Sequence, residues 1–133
     1  MYIHAKLRAF DKQLTALFHE IDRRLEDRWG SAFTRHPNRP RRGKTGNPEM
    51  DGLFEVAADF TPGYGSEHGR GYIVSLRVAT LESVPPDRFE DFMCEAAITL
   101  EELLPVYFPE RKLFVVRDGE RFKIVGDFSL GEL

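Results

Sequence analysis

Nine large apolar residues, Ile3, Leu7, Phe10, Leu14, Leu17, Phe18, Ile21, Leu25 and Trp29, recur mainly at steps of three and four at the start of the chain. That period puts them on one stripe of a helix, which must be buried against something else. Lys6, Asp11, Lys12, Glu20, Arg23 and Arg24 fall on the other side. The pattern predicts a helix over residues 3–28, stopped by Gly30 in the left-handed position that glycine favours. At about 1.5 Å per residue it approaches 40 Å, longer than a small core needs, so its ends are expected to reach a second copy of the chain in a homodimer.

Beyond it the period changes to two. Phe54, Val56, Ala58 and Phe60 alternate with Glu55, Ala57 and Asp59; Tyr72, Val74, Leu76 and Val78 repeat the pattern. A hairpin over 53–81 that pairs Phe60 with Tyr72 sets Glu55 opposite Arg77 on the wet face. Pro85 and Pro86 suit the first turn of a second helix over 86–104, with Phe89, Phe92, Met93, Ala96 and Leu100 on its buried stripe and Pro105 ending it. Its opposite face, with Glu90, Asp91, Glu95, Glu101 and Glu102, is acidic and expected to be solvated. LFVVRDGERFKIV predicts a last hairpin over 112–126 turning at Asp118-Gly119, with Val115 facing Phe122, Leu113 facing Ile124 and Arg117 meeting Glu120. Phe114, Val116, Arg121 and Lys123 then point outward, where the two apolar residues and the terminal FSLGEL could form a subunit contact.

Helix, hairpin, helix, hairpin is an α+β order. The arrangement that buries every apolar face is a two-layer sandwich, with both helices on one face of a four-stranded, mainly antiparallel sheet. With 133 residues the chain is expected to be a single domain, 1–133. No apolar run is long enough to span a bilayer, and the charges in MYIHAKLRAFDKQL rule out a signal-peptide core, so the expected compartment is the cytoplasm, with no membrane partner. One cysteine, Cys94, forbids an intrachain disulfide or a cysteine-ligated zinc site; it is expected to be a buried small hydrophobe. No histidine spacing of the HxH, HxxxH or HExxH kind occurs, so neither a metal nor a cofactor is expected.

The net charge of −3 divides into +5 over residues 1–50 and −8 over residues 51–133. The excess of positive charge gathers in the 31–50 loop, where residues 34–44 carry Arg35, His36, Arg39, Arg41, Arg42 and Lys44 without an acid. Gly43-Lys44-Thr45 resembles the end of a phosphate-binding loop, but Asn38 stands where the first glycine belongs and the flanking helix and strand come in the wrong order. TPGYGSEHGRGY fails likewise as a dinucleotide fingerprint: His68 replaces the third glycine and a strand follows instead of a helix. It is a glycine-rich hairpin tip.

These features favour a small non-enzymatic binding domain. An anionic ligand would sit between the basic loop and the 62–71 tip, on Arg35, Arg39, Arg41, Arg42, Lys44, His68 and Arg70. Nucleic acid is disfavoured by the overall acidity and by the absence of stacking aromatics in the loop. Two alternatives stand beside this reading: a small enzyme using His68 with Glu67 for acid–base chemistry, or a structural subunit that binds only protein. The basic loop is equally well satisfied by the acidic face of the second helix, in its own or a second subunit.

Overall fold

The computed structural model describes residues 2–47, 50–61, 71–118 and 121–126. Its elements follow the expected order: α1 (Tyr2–Trp29), β1 (Phe54–Thr61), β2 (Gly71–Val78), α2 (Pro86–Tyr107), β3 (Leu113–Asp118) and β4 (Arg121–Gly126). The strands form one antiparallel sheet in the order β1-β2-β4-β3, so the two hairpins join through β2 and β4. The fold is α+β. Residues of the apolar stripes, Leu17, Ile21 and Leu25 from α1 and Phe92 and Leu100 from α2, share one buried cluster with Phe54, Val56, Val74, Leu76 and Ile124 of the sheet. Phe92 lies at its centre, with ring centroids 5.2 Å from Phe54, 5.7 Å from Trp29 and 6.2 Å from Phe33.

The first hairpin has the predicted register, Phe60 opposite Tyr72 and Glu55 opposite Arg77. The guanidinium of Arg77 meets Glu55 at 3.1 Å. The second hairpin differs by two residues. Val115 pairs with Ile124, Leu113 with Gly126, Arg117 with Phe122 and Asp118 with Arg121, which makes Asp118 the last paired residue instead of a turn residue. A shift of two leaves every side chain on its expected face, so hydrophobic alternation cannot separate the two registers.

Other expectations are corrected. Gly30 follows α1 but does not have a positive φ. Its lack of a side chain matters through close approach: a Cβ there would stand 2.5 Å from the Glu26 carbonyl oxygen. Pro105 lies inside α2, which continues to Tyr107. Proline removes one amide, and this late in the helix Phe108 N–H still closes the last turn on Leu104 O at 2.8 Å. Cys94 is exposed, because it falls on the side of α2 away from Phe92, Met93 and Ala96. Phe60 has the predicted parity but is exposed at the strand end, its ring edge-on to Tyr72. Lys123, on the outward side of β4, is only 1% exposed. It pairs with Ile73 and Val116 on the neighbouring strands, and its stem reaches over Gly71, whose missing side chain leaves it room. Phe114 faces outward as expected and is 58% exposed.

The acidic face of α2 is more than a solvated surface. Glu95 takes hydrogen bonds from Arg28 and from the indole of Trp29, both on α1, and Glu90 takes one from Arg117 of β3. No helix among the described residues is long and apolar enough to cross a membrane.

Candidate functional site: two clefts beside one loop

The 31–50 segment is held in place at several points. His36 N–H donates to Ala79 O at 2.7 Å, Arg35 and Thr80 form an isolated bridge, and Gly52 N–H donates to Pro40 O at 3.0 Å. Arg39 does most of the holding. Its Nε and Nη2 donate to the carbonyls of Gly52, Asp51 and Phe54 at 3.1, 2.9 and 3.1 Å, tying the loop's start to its end. Opposite it, Asp51 accepts from the amide and hydroxyl of Thr45 at 3.1 and 2.8 Å. Burial works against the Asp51 carboxylate, but those donors and the amide of Gly43 outweigh it and hold the acid below its ordinary range.

α1 supplies two more carboxyls to the inner side of the loop. Glu26 accepts from Phe54 N–H at 2.7 Å. Burial raises its pKa, opposed by hydrogen bonds from the backbone of Phe54 and Leu53. Gly52 makes this approach possible: its φ is 78°, and a Cβ there would lie 2.5 Å from Glu26 Oε1. Asp22, one turn earlier, is 3% exposed and its Oδ2 has no hydrogen-bond partner among the described residues. Burial, together with Glu26 and Asp51 and against the pull of Arg39 and Arg42, pushes its pKa up to about 8. His19, a turn before Asp22, has a buried and equally unpartnered Nε2.

The loop separates two clefts. The inner one, about 440 Å³, lies against α1 and is lined by Ala16, His19, Asp22, Arg42, Gly43 and Tyr107 among others. The outer one, about 620 Å³, lies at the open end of the first hairpin, where His36, Arg39, Met50, Arg77 and Thr80 contribute to its walls. Arg39 faces the outer cleft with spare capacity. Its side chain is 10% exposed, and the acid that Nη1 approaches among the described residues is Glu55, at 3.8 Å from Oε2. Arg77 reaches the same carboxylate oxygen, so one acid serves two guanidinium groups.

The arginines identified from sequence therefore divide. Arg35 donates to Arg39 O at 2.8 Å, and Arg42 pairs with Asp27 of α1 at 2.5 Å. The side chains of Arg41 and Lys44 are exposed. The acids that pair with Arg39 and Arg42, Glu55 and Asp27, are on β1 and α1 rather than on α2, whose Glu95 and Glu102 face Arg28 and Arg24 instead. Glu67, His68 and Arg70 lie outside the described residues. Their hairpin leaves the sheet at Thr61 and Gly71, whereas the basic loop is bonded near Ala79, at the far end of an eight-residue strand. Among the described residues no group of three or more histidine, cysteine, aspartate or glutamate side chains could hold a metal ion.

Asp22, Glu26, Arg77 and His19 are the residues that charge counting in the loop alone overlooks. A signal for two of them exists: Asp22 follows Phe18 by four and Glu26 precedes Trp29 by three, which places both carboxyls beside the apolar stripe.

Together these features define an α+β fold with an open antiparallel sheet and a basic loop flanked by two clefts. A family described as "Uncharacterised protein" matches residues 5–126, and the chain belongs to it. A protein of Borreliella burgdorferi, described in the same words, is 40% identical over 125 residues, covering 93% of this chain and 97% of that protein. No solved structure matches the chain.

Proposed function

We propose that the protein is a non-enzymatic binding domain of the cytoplasm that takes a small anionic ligand, a phosphate or carboxylate group, in the outer cleft. The observation that supports it is Arg39 Nη1, a guanidinium nitrogen on a nine-tenths-buried side chain with no hydrogen bond of its own, beside Arg77 and His36. Two guanidinium groups sharing one carboxylate leave a surplus positive charge, and an arginine held by three carbonyls is oriented before the ligand arrives. The ligand would compete with Glu55. Homodimerisation through the exposed β3 edge at Phe114 belongs to the same reading, and a solution mass of twice the chain's is its check.

Calorimetric titration with inorganic phosphate at low and high sodium chloride tests the anion site. Affinity should fall with salt, fall about tenfold in Arg77→Ala through loss of one charge-assisted hydrogen bond, and rise in Glu55→Gln. Arg77 is an exposed strand residue, so its loss leaves the fold in place. An affinity indifferent to salt, or weakened in Glu55→Gln, would overturn the proposal.

A further inference from the structure

The inner cleft is a separate place with different chemistry, and nothing in the anion reading uses it. Its floor carries two buried polar atoms without partners, Asp22 Oδ2 and His19 Nε2. Buried polar groups are nearly always satisfied, so two orphans a helical turn apart on one cleft wall require a reason. Both atoms are shielded from water, and His19 is the less buried of the two residues.

The charges around the cleft decide what could satisfy them. Glu20 and Asp51 bring two negative charges to the lining, and Arg23 and Arg42 bring two positive ones. Glu20 is already bound by Arg23 and Arg24, Arg42 by Asp27, and Asp51 by Thr45. Asp22 faces Glu26 from its own helix and Arg39, Arg42 and Asp51 from the loop, and burial among them keeps it in its neutral acid form at neutral pH. A carboxylic acid offers one donor and one acceptor side by side. Its complement is an amide edge, with one C=O and one N–H. The wall beside it holds Ala16, Gly43 and the Tyr107 side chain, which leaves space for a flat ring.

We infer that the cleft between α1 and the loop binds an uncharged planar molecule through a cyclic amide edge, a lactam, cyclic urea or pyrimidine-type ring, gripped by the Asp22 carboxyl group and by His19. The ligand's carbonyl accepts from Asp22, its N–H donates to the second Asp22 oxygen, and the imidazole takes up a further polar group on the ring.

The probe is 2-pyridone, whose amide edge does not titrate between pH 6 and 9. Calorimetry gives its affinity at both pH values, and amide NMR shifts at pH 6 locate it; acetate and guanidinium serve as the charged competitors. Saturable binding is expected at pH 6, with shifts confined to the lining, residues 16–23, 42–46, 51 and 107, and a loss of tenfold or more at pH 9, where ionised Asp22 no longer donates. Asp22→Asn, which keeps one donor and one acceptor, should bind at both pH values alike. The proposal is overturned by absence of saturable binding, which would leave the orphan atoms to a structural water, and by shifts elsewhere on the protein. Tighter binding of guanidinium or acetate would also overturn it, as would a folded Asp22→Asn protein that has lost the probe.

Discussion

Replacing Asp22 by asparagine should alter how stability depends on pH, in a direction fixed by the geometry. The folded protein holds Asp22 among Glu26, Asp51 and two arginines, with burial as the largest influence, and its pKa is raised to about 8. In the unfolded chain an aspartate titrates near about 4. Between those values the folded state keeps a proton that the unfolded state has released, so unfolding loses free energy as pH rises. The cost begins near about pH 4, grows across the window and levels off above about pH 8. A displacement of that size corresponds to at most about 6 kcal/mol. Hydration through the adjoining cleft reduces it, and roughly 2–4 kcal/mol is expected. Asparagine has nearly the same shape and no proton to lose. Urea unfolding of both proteins at intervals from pH 5 to pH 9 should therefore give curves that nearly coincide at the acid end and separate upward, with Asp22→Asn the more stable at pH 9. Glu26, whose pKa burial also raises, is common to both proteins and cancels in the difference except for its coupling to Asp22. A difference that stays constant from pH 5 to pH 9 would refute the claim that Asp22 is held as a neutral acid.

Gly52→Ala should cost about 2–4 kcal/mol, combining a left-handed backbone with displacement of Glu26 from Phe54 N–H, and thermal unfolding would measure it. Phe92→Ala should cost about 3–5 kcal/mol in a urea titration, since a fully buried ring is lost from the centre of three aromatic contacts.

Much of the architecture is legible in the chain because burial imposes a period. Steps of three and four located α1 and α2, and alternation located all four strands. The Glu55–Arg77 pair tied the first hairpin to one register, as found. The second hairpin shows the limit: Val115 remains on the inner face whether it pairs with Phe122 or with Ile124, and only the turn, which alternation does not sense, separates the two. The adjacency of β2 and β4 leaves no mark in a local pattern, since it joins segments some fifty residues apart. The loop was harder still. A cluster of arginines suggests an external anion, yet Arg39 spends three of its hydrogen bonds on carbonyls of its own chain. What the sequence hides is that a guanidinium serves backbone oxygens as readily as a phosphate, so composition identifies a donor without identifying its acceptor.

The tie made by Arg39 has a consequence for how the chain tolerates being cut. The residues that hold the loop lie at its two ends, Arg39 and Pro40 on one side and Asp51, Gly52 and Phe54 on the other, while Arg41, Arg42 and Lys44 form an exposed crest between them. A trypsin-like protease that severed the crest would leave both new termini fastened to the same few carbonyls. The two fragments, one carrying α1 and the other the whole sheet with α2, would then stay together as a nicked but folded pair.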